Sequence, residues 1–146
     1  MAFLSKLFGN NTSKKTSNDN VEAIIHDVEN RPYGVSENNV LFAGLNELGG
    51  YFFFQTVIVG QLNIKSKVGA TLLFKGENFE LKLNSDMPEF ESEGSDIKGR
   101  NVTKIDFQIE ESDIKQLENA KLNSVQLNVK KQTILFTKYI VSDEEE

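Results

Sequence analysis

The chain has 146 residues, 38% of them hydrophobic, with eleven Phe, no Cys and no Trp. That is one domain's worth of apolar matter, and it excludes disulfides and thiolate metal sites. The net charge of −6 divides into +2 over residues 1–20 and −8 over the rest, and an acidic body of this kind repels nucleic-acid phosphates.

No run approaches the ~20 apolar residues of a membrane-spanning helix. The opening nine residues are too short and too interrupted for a secretory signal, so a cytoplasmic protein is expected. The glycosylation sequons at Asn10, Asn11 and Asn101 are then expected to stay unmodified. On a helix, Phe3, Leu4, Leu7 and Phe8 would form one apolar stripe, with Ser5 and Lys6 turned away from it. Residues 9–20 contain no apolar side chain and are expected to form a flexible linker. A stripe on such a leash suits weak anchoring at a membrane surface or insertion into the groove of a protein partner.

Residues 21–30 predict a helix. Val21, Ile24, Ile25 and Val28 fall on one face, Asp19 or Asn20 can cap it, and Pro32 prevents its continuation. His26 is the only histidine and stands beside Asp27 on this helix. No companion motif supports a catalytic triad or a metal site, so an exposed helix side chain is expected.

From residue 40 the apolar period changes from 3.6 to 2. Residues 40–43 form a short apolar run, and the Gly-rich stretch 44–50 is expected to be a loop between strands. Its spacing superficially matches a phosphate-binding loop. However, Gly50 and Tyr51 stand where Lys and Ser or Thr are required, and a strand follows instead of a helix. Residues 51–65 predict the longest strand, with Phe52, Phe54, Ile58, Leu62 and Ile64 on one face and Tyr51, Phe53, Val57 and Val59 on the other. Its first half, apolar on both faces, is expected to be central and covered on both sides. Past Gly60 the second face turns polar. Ser66 and Gly69 have the Ser-x-x-Gly spacing that PilZ domains use for cyclic dinucleotides. Ile64 replaces the acidic or amide residue required before the serine, and Arg31 and Arg100 form no local pair, so that reading is set aside.

Residues 71–75 and 79–83 predict a hairpin, with Phe79, Leu81 and Leu83 inward and Glu80 and Lys82 outward. Between 86 and 96 lies the richest acidic cluster: Asp86, Glu89, Glu91, Glu93 and Asp96. Clustered carboxylates are the chemistry of a hard-cation site. The spacing does not fit a Ca²⁺-binding helix–loop–helix, and the alternation of Glu89, Glu91 and Glu93 equally describes an outward row on a protected edge. Residues 103–109 predict a strand with Ile105, Phe107 and Ile109 inward. Residues 112–120 predict a short helix capped by Ser112, with Ile114 and Leu117 inward. A second hairpin follows, built on Val125, Leu127 and Val129, then Ile134, Phe136 and Ile140. Residues 143–146 are an acidic, solvated tail.

These elements predict a mainly β fold: an antiparallel sandwich of about seven or eight strands, with a small barrel as the alternative. The expected organisation is a stripe and linker at 1–20, one β-rich domain at 21–142, and a tail at 143–146. The function expected is a non-enzymatic cytoplasmic binding or scaffold module without a cofactor. It would reach a protein partner or a membrane surface, and an oligomer would strengthen that contact, through Phe3, Leu4, Leu7 and Phe8. Two other readings are a carrier of small hydrophobic ligands with a Phe-lined barrel, and a carboxylate- or metal-dependent enzyme built on the 86–96 cluster.

Overall fold

The structure, a computed structural model, describes residues 21–28, 31–95 and 99–139. Among these residues antiparallel strands dominate, with two helices. In chain order the elements are α1 (Val21–Asp27), β1 (Gly34–Val35), β2 (Asn39–Leu48), β3 (Tyr51–Gly60), β4 (Lys65–Ser66), β5 (Ala70–Gly76), β6 (Phe79–Asn84), β7 (Phe90–Glu91), β8 (Glu93–Gly94), β9 (Asn101–Ile109), α2 (Glu111–Asn119), β10 (Leu122–Val129) and β11 (Gln132–Thr137).

Nine strands form one sheet in the order β6-β5-β10-β11-β1-β2-β3-β9-β8, and β4 and β7 pair separately. The sheet curls into a half-barrel. A bridge between Ser85 and Phe107 ties the end of β6 to β9, supported by the Asp86 amide donating to the Asp106 carbonyl at 2.8 Å. The expected sandwich of seven or eight strands is corrected on two counts. One continuous sheet bends over its own core instead of two sheets facing each other, and there are eleven described strands. Four of them, β1, β4, β7 and β8, are two residues long and leave no readable alternation.

The concave face holds the main core. Phe74, Phe107, Phe136, Leu72 and Leu127 are fully buried there, and Tyr33, Phe54 and Phe74 meet edge to face. As the alternation in 103–109 requires, Ile105, Phe107 and Ile109 point inward, while Lys104, Asp106 and Gln108 are exposed. Ile114 and Leu117 of α2 pack against the same core. The helix begins at Glu111, so Ser112 lies inside its first turn instead of capping it, and Glu110 at the cap position makes no side-chain bond.

A second, smaller cluster lies on the convex face. Ile24 of α1 is buried against Val40, Phe42 and Val59, with Val21, Ile25 and Val28 around it. The predicted apolar face of this helix is therefore the face that docks, although the helix stops at Asp27. A helix this short persists only through such packing, and burying Ile24 contributes about 2 kcal/mol.

Strand β3 is central, paired with β2 and β9 along its length. Its predicted double covering holds only where α1 lies, over Val57 and Val59; Tyr51, at the other end, is 73% exposed. The strand ends at Gly60, whose φ of +151° and close approach to the Asn38 carbonyl admit no side chain. Leu62 and Ile64 rejoin the core beyond it.

Candidate functional site

The stretch 44–50, expected as a loop, is mostly strand. Residues 44–48 complete β2 and pair with Tyr51–Gln55 of β3, so that only Gly49 and Gly50 form the turn. Both glycines have positive φ (+61° and +87°), as a two-residue hairpin turn requires. Gly44, Asn46 and Glu47 have weak strand preference, and it is the pairing with β3 that holds them extended.

This hairpin has an unusual margin. Beyond its contact with β1 at Val40 and Leu41, β2 pairs, among the described residues, only with β3. The carbonyls of Asn39 and Leu41 face the β1 side, where they accept from the amides of Ser36 and Tyr33 at 2.8 Å. By the two-residue period of a strand, Ala43, Leu45 and Glu47 turn their N–H and C=O groups the same way. No described residue pairs with them there. Exposed apolar side chains sit beside this free backbone: Leu45 at 45%, Leu48 at 68% and Tyr51 at 73%, the last two directly opposite each other. Edge strands are commonly blunted by shortness, bulges or clustered charge. Glu47 is the only charge along residues 42–48.

A cavity of about 520 Å³ opens where β10 begins, lined by Tyr33 of the β1 approach, by the residues that follow α2, and by the end of β11. Burial pushes the Tyr33 phenol up to about 12. A more polar cavity of about 530 Å³ lies at the other end of β10 and includes Asp86 in its wall.

The acidic cluster takes a form the sequence did not suggest. Glu89, Glu91 and Glu93 are all exposed, but they do not share a strand: Glu91 belongs to β7 and faces Lys65, and Glu93 belongs to β8 beside β9. Ser92 divides them. Its hydroxyl accepts from the Ile64 amide at 2.9 Å and shares a hydrogen bond with the Thr103 hydroxyl at 2.6 Å. Asp86 accepts from the Gln108 side chain at 2.6 Å. Among the described residues no three His, Cys, Asp or Glu converge as a metal-binding group. Asp96 lies outside the described residues, as do Phe3, Leu4, Leu7 and Phe8.

His26 is exposed on α1. Its neighbour Asp27 accepts from the buried Arg100 guanidinium at 2.7 Å, which fastens the helix to the start of β9. Ser66 and Gly69 form a local turn, the Ser66 hydroxyl donating to the Gly69 carbonyl at 3.2 Å. Among the described residues, no helix is long and apolar enough to cross a membrane.

Sequence reasoning missed the free edge of β2 and the place of Tyr33 in a cavity wall. A signal for the first existed, since Gly-Gly between two stretches with apolar side chains is a two-residue hairpin turn. Nothing in the sequence marked the second. No family model, no curated protein and no solved structure matches this chain.

Proposed function

We propose that this protein is a non-enzymatic cytoplasmic binding module, and that it takes an extended segment of a partner protein as an added strand along β2. The observation that carries this reading is the free backbone at Ala43, Leu45 and Glu47, flanked by the exposed Leu45, Leu48 and Tyr51. Backbone groups give an added strand its hydrogen bonds, and alternate side chains give it selectivity. In this reading the N-terminal stripe of Phe3, Leu4, Leu7 and Phe8 supplies a second contact, with the same partner or with a membrane surface.

The test is selection of random displayed peptides against the full chain, followed by amide mapping of the selected peptides by NMR. Expected are peptides of alternating apolar pattern whose binding shifts residues 43–48. The Leu45→Pro variant should lose them, because proline removes an outward N–H that β3 does not use. Peptides that map elsewhere, or that bind Leu45→Pro equally well, would refute strand addition. Liposome flotation of the full chain beside a chain starting at Asn20 tests the stripe: a membrane role requires that only the full chain floats.

A further inference from the structure

The cavity at the start of β10 combines an apolar floor with a basic margin. Its floor is apolar, made by Val125 and Phe136 of the main core with Tyr33 and Leu122 packed beside them. At its exposed margin stand Lys121 and Lys138, neither in an ion pair with a described residue. Among the described residues no Asp or Glu lines it, although the chain as a whole carries a net charge of −6. The Tyr33 hydroxyl also lacks a hydrogen-bond partner among the described residues, and a phenol so placed needs an acceptor or water. At about 520 Å³ the volume lies within the range of small-molecule sites.

We propose that this cavity binds a single-chain amphiphile with a carboxylate head. Its hydrocarbon would lie against Tyr33, Leu122, Val125 and Phe136, with its head held by Lys121 and Lys138 and the Tyr33 hydroxyl available as a donor. Each part of the assignment has its own cause. The apolar floor selects a hydrocarbon by removing it from water. Two cations in a lining without a carboxylate, neither ion-paired with a described residue, favour a negative head over a neutral or positive one. The phenol stays protonated throughout the physiological range, so it remains a donor to that head and adds no negative charge. The half-barrel interior is filled by Phe54, Phe74, Phe107 and Phe136, which puts the ligand at the end of the barrel and not along its axis.

The test uses the full chain, with dodecanoate and dodecyltrimethylammonium below their micelle concentrations and dodecanol below its solubility limit as probes, followed by amide shifts. Dodecanoate should shift residues 33–34, 121–125 and 136–138. It should bind roughly threefold to tenfold tighter than dodecanol, as two exposed lysine contacts allow, and the cation should bind most weakly. The double variant Lys121→Gln/Lys138→Gln should bring dodecanoate and dodecanol to nearly equal affinity, and Tyr33→Phe should weaken both. Both lysines are exposed, so the double variant is expected to fold. If dodecanoate leaves the cavity residues unmoved, or if the carboxylate and the cation bind alike, the assignment is overturned.

Discussion

Replacing Ser92 by alanine should cost far more than a small polar-to-apolar change normally does. Ser92 lies amid exposed glutamates, yet its own side chain is buried. Its oxygen serves the Ile64 amide at 2.9 Å and the Thr103 hydroxyl at 2.6 Å, and Thr103 is fully buried. Ser92→Ala therefore orphans two buried polar groups. Each costs about 1–3 kcal/mol, so the variant should lose about 2–6 kcal/mol. Thr103→Val removes one hydroxyl and leaves the Ile64–Ser92 bond in place, for about 1 kcal/mol. In the double variant only the Ile64 amide stays unpaired, so its loss should fall short of the sum of the singles by about 1 kcal/mol. Because the chain has no Trp, urea unfolding followed by far-ultraviolet circular dichroism is the suitable assay. A Ser92→Ala loss below about 0.5 kcal/mol, or strict additivity with Thr103→Val, would refute the reasoning, since either means the shared oxygen carries no weight.

Gly60→Ala should destabilise by about 3 kcal/mol or more, because a Cβ there would stand 2.2 Å from the Asn38 carbonyl oxygen at a φ of +151°. Gly44→Ala, whose Cβ would meet nothing within 4 Å, should be neutral or slightly stabilising in the same melts. Ile24→Ala should cost about 2–4 kcal/mol and speed amide exchange in α1 more than in β9. The Tyr33 phenol titrates at about 12 in the fold against 10.0 when unperturbed, so the unfolded chain loses this proton first as pH rises. Stability from this group is thus complete below pH 10 and declines toward pH 12. Allowing for solvent access, the loss is about 1–2 kcal/mol, and thermal melts of Tyr33→Phe should show a correspondingly flatter alkaline decline.

The elements legible in the sequence share one property: each strand turns a single face to the core. Residues 79–84, 103–109 and the 125–136 hairpin alternate cleanly because the concave side buries every second residue. The docking face of α1 was legible for the same reason at helical period. Residues 44–48 were not, because Gly44, Asn46 and Glu47 favour loops and only their ladder with β3 extends them. The acidic row was legible as composition but not as geometry, since the buried Ser92 splits it between two sheets.

Taken alone, the sequence determined the β-rich class, the main hairpins and most of the inward side chains. These follow from where each residue partitions between water and core, which is written in local periodicity. The tertiary structure decided that the strands join into one curled sheet, that β1 reaches β2 through two residues and β11 through one, and that β2 is left with a bare edge. It also decided that Tyr33 meets Lys121 and Lys138 around one cavity. Edges and cavities are set by which distant segments pair and where they stop, and the side-chain alternation of a strand is the same with or without a neighbour beside it.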